Sequence, residues 1–362
     1  STGVFTDSSY PATKENVKFI GRNLFRDNVT WLIQSGSAIE FTVNAKSAEI
    51  TLAGDSGIEN GADLAPRYAV IVDDEIILDE TMTEKEKTVS LFSGDSARLA
   101  KVKVIHLSEA NNGAVGVSAI KVNSDVKAPV NPTPESDLRI EFIGDSITCG
   151  YGVDDEDKDH HFSTKTEDCT KAYAYKTAEK LDADYSLVSF SGHGIISGYS
   201  GDGKKVLTQL VPPYYTHLGY TWSKNDEFDP LALDWDFTKR EPDVIVINLG
   251  TNDDSYCKNQ EEKCEDYRSH YVEFVKKIRE NNPNAKIIGT LGIMGQNLYP
   301  YVELALRDYS EETGDTNVDW LMFDQQNMNE DGIAADWHPS EKTHEKASDK
   351  LVEKIKESMN WE

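Results

Sequence analysis

A serine, a glycine, an asparagine and a histidine occur in this chain in the order in which acyl transfer could use them: a nucleophile, two donors to a developing oxyanion and a base. Ser146 follows the apolar run Leu138-Arg139-Ile140-Glu141-Phe142-Ile143 in the turn Gly144-Asp145-Ser146, so a predicted β-strand delivers a hydroxyl to its carboxyl end. Gly, Asp and Ser are also ordinary turn residues, and alone the stretch reads equally as a strand-ending turn. Three further segments favour chemistry. Asn248-Leu249-Gly250-Thr251-Asn252-Asp253 ends the apolar run Val244–Ile247 and sets a side-chain amide, a neutral N–H donor, at a second strand end. Ser189-Phe190-Ser191-Gly192-His193-Gly194 follows the strand-like Tyr185–Val188, where glycine leaves a backbone N–H open to a ligand. Asp336-Trp337-His338-Pro339-Ser340 brings an imidazole near the C-terminus, although Pro339 and Ser340 also read as a helix start.

From about Leu138 onward these four blocks resemble the SGNH, or GDSL-type, hydrolase superfamily. The resemblance implies Ser146 as nucleophile, with its own N–H in the oxyanion hole. Gly192 is implied as a backbone donor, the Asn252 amide as a further donor and His338 as general base. Most members place the acid three residues before the histidine; this chain has Ala335 there, and Asp336 stands two before. Asp336 is therefore the expected triad acid, a carboxylate that would set the tautomer of His338 and stabilise its imidazolium. A backbone carbonyl in that place would instead make a Ser-His dyad.

The elements that must position these residues change character along the chain. Upstream, seven short apolar stretches at 38–43, 48–52, 68–72, 75–78, 88–92, 101–105 and 117–122 are separated by Gly, Asp, Asn and Ser turns and read as a β-sandwich, in the manner of a jelly roll. Ala128-Pro129-Val130-Asn131-Pro132-Thr133-Pro134 carries a linker signature. The division expected is a sandwich over 1–127, a Pro-rich linker over 128–137 and a catalytic domain over 138–362. In the last of these, strands alternate with helices: an apolar face at Tyr267, Tyr271, Phe274, Val275 and Ile278, a strand at 286–291, a helix at 301–309, a strand at 318–323 and a final helix through Ala347, Leu351 and Ile355. That alternation predicts an α/β/α three-layer domain around a parallel sheet, with the four blocks on loops at one sheet edge.

A sandwich followed by an SGNH domain is similar, across nearly the whole chain, to carbohydrate esterase family 2. Gly144-Asp145-Ser146-Ile147-Thr148-Cys149-Gly150-Tyr151-Gly152 and the compact Asp336-Trp337-His338-Pro339-Ser340 carry this closer likeness. It implies removal of acetyl groups from plant cell-wall polysaccharides such as xylan and mannan, and implies that a dyad or a modified triad can serve. Trp337, beside the base, is the aromatic residue expected to meet a sugar face. Tyr214, Tyr215, Tyr220, Trp222 and Trp235 lie in the long segment from Val211 to Phe237 and are weighed first as packing residues.

A net charge of −27 excludes nucleic acid and anionic membranes as partners, since both require basic clusters. Asp154-Asp155-Glu156-Asp157 lacks EF-hand spacing, and His160-His161 have no further ligands at zinc-site spacing, so no metal and no cofactor is expected. The pairs Asp253-Asp254 and Glu261-Glu262 are expected to face solvent. Four cysteines permit two disulfides, Cys257 with Cys264 and Cys149 with Cys169, or four free thiols. No apolar run is long enough for a membrane span, and any signal peptide is expected to be removed or never present. A polymeric substrate favours secretion; imported oligosaccharides would allow a cytoplasmic enzyme. A homo-oligomer is compatible with the sequence. Two other function classes share these features: a lipase or thioesterase on the same scaffold, and a carbohydrate-binding protein without catalysis. The α/β-hydrolase fold is disfavoured because no G-x-S-x-G elbow occurs.

Overall fold

Alternation of apolar and polar residues turns the N-terminal third of the chain into strands. The computed structural model describes residues 2–222, 225 and 227–362. It divides into one unit of residues 1–135 with 163–165 and 218–233, and a second of residues 136–162, 166–217 and 234–362. The strands of the first unit are β1 (Thr6–Tyr10), β2 (Lys18–Ile20), β3 (Asn23–Arg26), β4 (Val29–Leu32), β5 (Ala38–Gly54), β6 (Arg67–Val72), β7 (Glu75–Thr81), β8 (Glu86–His106), β9 (Val115–Ser124) and β10 (Val130–Pro132). They form an antiparallel, jelly-roll-like sheet in the order β3-β4-β9-β5-β8-β6-β7, with β1 on β9 and both β2 and β10 on β5. Its core contains Phe41, Val43, Ile50, Leu52, Val102 and Val104, all fully buried.

Three features depart from the sequence reading. The stretches 38–43 and 48–52 are one strand, β5, and 88–92 and 101–105 are one strand, β8. Register shifts between Ala45 and Ser47 and between Ala48 and Glu49 let pairing continue through polar residues that read as a turn. Within the stretch expected to be a linker, Val130–Pro132 is a strand, with Val130 opposite Val43 and Pro132 opposite Phe41. In the aromatic segment from Val211 to Phe237, Leu218–Leu233 belongs to the first unit, where the Phe228 ring lies 5.5 Å from that of Trp31. Ser223, Lys224 and Asp226 of that segment lie outside the described residues. Tyr215 is buried in the second unit and donates its hydroxyl to Glu141 Oε1 at 2.7 Å.

The second unit is built on five parallel strands, β11 (Arg139–Gly144), β12 (Asp184–Ser189), β13 (Val244–Asn248), β14 (Lys286–Leu291) and β15 (Val318–Met322), in the order β12-β11-β13-β14-β15. Every residue of β11, β12 and β13 is buried, as parallel strands covered on both faces must be. The helices are α1 (Ser146–Cys149), α2 (Tyr173–Lys180), α3 (Thr251–Cys257), α4 (Glu261–Asn281), α5 (Tyr299–Thr313), α6 (Met328–Asp331) and α7 (Glu341–Ser358). Helices α2 and α7 pack together, as do α4 and α5. No helix among the described residues is long and apolar enough to cross a membrane. Strand order reverses around β11, and ligands of open α/β sheets bind outside the carboxyl strand ends at such a reversal.

Candidate active site

Register places three of the four sequence blocks side by side. Gly144 at the end of β11 pairs with Ser189 on β12 and with Asn248 on β13. The segments that follow, holding Ser146, Gly192 and Asn252, therefore leave the sheet from adjacent strands. Gly144 is sterically required, because a Cβ there would lie 2.0 Å from Thr148 Oγ1. Asp145 then caps α1, its Oδ1 accepting from Ile147 N at 3.0 Å, and Ser146 becomes the first helical residue. The fourth block arrives after β15 at the opposite edge of the sheet, with Ser340 capping α7 by accepting from Thr343 N at 3.2 Å. The helix start read at Pro339-Ser340 is therefore present, directly after His338.

Ser146 Oγ lies 2.8 Å from His338 Nε2. Nδ1 of the same ring faces two backbone carbonyl oxygens, of Asp336 at 3.0 Å and Ala335 at 3.2 Å. Carbonyls only accept, so Nδ1 carries the proton, and Nε2 presents a lone pair to the serine hydroxyl. Burial pushes the imidazole pKa down to about 4, the carbonyls of Asp336 and Ala335 and the charge of Asp336 opposing that shift. The Tyr151 ring lies flat over His338, centroids 3.9 Å apart and planes 12° from parallel.

The expectation that the Asp336 carboxylate holds His338 is not met. Its Oδ2 accepts from the Tyr151 hydroxyl, and its Oδ1 accepts from His161 Nδ1 at 2.8 Å. Asp336 and Trp337 both have left-handed backbones, φ +49° and +63°, at a cost of about 1–2 kcal/mol each for L-residues. This double turn directs the Asp336 carbonyl, rather than its side chain, at the imidazole. Gln326 Nε2 donates to the Trp337 carbonyl at 2.7 Å, and Asp336 N donates to the His160 carbonyl at 2.9 Å. The Trp337 ring is half exposed, with Lys158 Nζ 5.2 Å from its centroid.

Asn252 Nδ2 donates to the His193 carbonyl at 2.8 Å, which fixes the orientation of the amide. Its contact with Asp145 Oδ2 is long, 3.5 Å, leaving one N–H weakly engaged. Gly192 has φ +80°, and its carbonyl accepts from Tyr199 N at 2.8 Å. The turn after it is organised by Asp253, which the sequence reading expected at the surface. Asp253 is fully buried and accepts from the N–H groups of Ile195 (2.9 Å), Ile196 (2.7 Å) and Ser197 (3.2 Å). Burial outweighs these three donors and pushes its pKa up to about 6. Glu261 and Glu262 are exposed, as expected.

Sequence reasoning missed Tyr151, Tyr199, His161 and Asp253. The first had a signal in Gly150-Tyr151-Gly152, whose glycines are both left-handed (φ +75° and +65°); Gly152 also lets this loop reach the histidine loop, since a Cβ there would lie 2.7 Å from Ala335 Cβ. Tyr199 is an exposed aromatic one hydrogen bond from Gly192. Neither disulfide forms: Cys149, Cys169, Cys257 and Cys264 are buried thiols, Cys149 Sγ donating to Ser189 Oγ at 3.2 Å.

A parallel-sheet domain with a serine-histidine pair and an amide at neighbouring strand ends defines a hydrolase of the SGNH class. The chain belongs to the GDSL-like lipase/acylhydrolase family, which it matches over residues 142–346, and within it to the family two carbohydrate esterases, whose N-terminal domain it matches over residues 19–134. It is 32% identical over 332 residues to the cellulase/esterase CelE of Acetivibrio thermocellus, covering 90% of this chain and 37% of that protein, so it spans little more than a third of that relative's length. It is 27% identical over 296 residues to an acetylxylan esterase / glucomannan deacetylase of Cellvibrio japonicus, covering 81% of this chain and 76% of that protein. Among solved structures, a family two carbohydrate esterase from Clostridium thermocellum in complex with cellohexaose superposes with a TM-score of 0.78 at 29% identity, over 96% of this chain and all of that one.

Proposed function

We propose that this chain is a serine carbohydrate esterase that removes O-acetyl groups from plant cell-wall polysaccharides or oligosaccharides, xylan and mannan types among them, through an acetyl-enzyme. The observation that carries the reading is the 2.8 Å contact between Ser146 Oγ and a His338 Nε2 whose Nδ1 is held by backbone carbonyls. His338 takes the Ser146 proton as Oγ attacks the acetyl carbonyl, and the Nδ1 carbonyl contacts stabilise the imidazolium that forms. The N–H groups of Ser146 and Gly192 and the Asn252 amide stabilise the tetrahedral oxyanion. The sugar oxygen leaves with the proton from His338. Water, deprotonated by the same imidazole, then releases acetate. The pair works as a Ser-His dyad, with main-chain oxygens in place of a carboxylate.

The names of the relatives supply the sugar, and the exposed rings of Trp337 and Tyr199 suit it, since a pyranose C–H face packs on an aromatic ring. A polymeric substrate of this kind favours secretion, whereas imported oligosaccharides would allow a cytoplasmic enzyme. The test is acetate release from acetylated xylan and glucomannan beside p-nitrophenyl acetate and longer acyl esters, with Ser146→Ala as control. Glycan deacetylation that disappears in the variant supports the reading. Turnover of synthetic esters alone removes the sugar, a preference for long acyl chains favours a lipase, and glycan binding without turnover leaves a binding protein.

A further inference from the structure

We propose that Tyr151 and Asp336 are positioning residues for His338, acting through the backbone that holds its Nδ1 rather than by a direct contact of the Asp336 carboxylate with the ring; the proposal rests on His338 being the general base. Two consecutive left-handed residues, one of them a tryptophan, do not hold that conformation unaided. The Asp336 side chain is their anchor. One carboxylate oxygen accepts from the Tyr151 hydroxyl and the other from His161 Nδ1, at 2.8 Å, while its own carbonyl turns the opposite way to accept from His338 Nδ1 at 3.0 Å. Tyr151 thus fixes the imidazole twice: its ring covers the His338 face, and its hydroxyl holds the turn that supplies the Nδ1 acceptor. This gives the displaced acid a role. At two residues before the histidine, the carboxylate secures the carbonyl that stands in for it.

The test compares Tyr151→Phe, Asp336→Ala, Asp336→Asn and the double variant Tyr151→Phe/Asp336→Ala by kcat, KM and the pH dependence of kcat/KM on p-nitrophenyl acetate. Phenylalanine keeps the stack and loses only the hydroxyl. Asparagine keeps an acceptor for Tyr151 and tolerates the left-handed backbone. Loss of one hydrogen bond that positions the base lowers kcat about tenfold in Tyr151→Phe and at least as much in Asp336→Ala, with KM little changed. Asp336→Asn recovers to within about threefold of the parent with its acid limb in place, and the double variant falls no further than Asp336→Ala, as residues acting through one contact do.

A Tyr151→Phe enzyme with the parent's kcat overturns the proposal, as do losses that multiply in the double variant. So does an Asp336→Asn loss approaching the 10⁴-fold of a true triad acid, with a shifted acid limb. Should Tyr151→Phe fail to fold, the contrast between Asp336→Ala and Asp336→Asn decides alone: rescue by asparagine supports the anchor, and equal loss rejects it. If Ser146→Ala itself retains turnover, the reading of the site fails; if it is inactive while Tyr151→Phe is unimpaired, only this inference fails.

Discussion

The ring of Tyr151 lies 3.9 Å from that of His338 and nearly parallel to it, shielding one face of the imidazole from water. Desolvation disfavours the charged form, and the His338 pKa is pushed down to about 4. A base is useful only while unprotonated. The acid limb of kcat/KM is therefore expected near pH 4 rather than near 6.5, and mildly acidic solutions should retain full activity. Tyr151→Ala, which admits water, should move the limb upward. A parent limb at the ordinary histidine value would refute the effect of burial.

Stability should fall as the solution is acidified from about pH 6.5 to 4. Burial holds His106, His193 and His338 down to about 4 and His344 to about 3. Across that window the unfolded chain binds protons that the folded chain refuses, so unfolding becomes more favourable as pH drops. Asp55 and Asp253 act in the opposite sense, since burial raises both to about 6 and the folded state takes their protons first. Four imidazoles against two carboxyls leave a net loss. Thermal melts from pH 7 to 4 check this, and a rising Tm would contradict it.

Asn252→Ala removes the oriented amide while leaving the Ser146–His338 contact in place. Oxyanion-hole donors act chiefly in the transition state, so kcat should fall by about 10²-fold or more with KM little altered. A loss confined to a few-fold would take Asn252 out of the role.

Asp253→Ala would leave the N–H groups of Ile195, Ile196 and Ser197 without their carboxylate acceptor beneath the Gly192 turn. Buried unsatisfied donors cost about 1–3 kcal/mol each. The expected outcome is a Tm lowered by roughly 10 °C or more, from a loss of at least about 3 kcal/mol for the three donors in a unit of this size, accompanied by reduced kcat as the turn that carries the proposed Gly192 donor loses its support. Calorimetry and steady-state kinetics on the same preparation measure both effects. A variant as stable as the parent would show that the loop carries itself.

Much of the site could be read from local pattern. Apolar runs that stop at Gly144 and at Asn248 predicted strand ends there, and the structure pairs those two residues directly across β11 and β13. A buried parallel strand must be apolar along its length and must stop where polar chemistry begins, so position along the chain and position at the sheet edge are the same information. The two long strands β5 and β8 were legible only in pieces, because a bulge interrupts alternation without interrupting pairing.

What only the tertiary structure decided is which polar groups meet. Sequence spacing put a carboxylate beside His338, yet the ring is held by carbonyls, because Asp336 is drawn away by partners 185 and 175 residues distant, Tyr151 and His161. Asp253 read as a surface charge because its three donors come from a loop more than fifty residues earlier. The residue types and their order in the chain determined the strands, their ends and the chemistry available there. The direction of each hydrogen bond was settled by contacts between distant segments, since backbone donors and acceptors are present in every sequence and only folding selects among them.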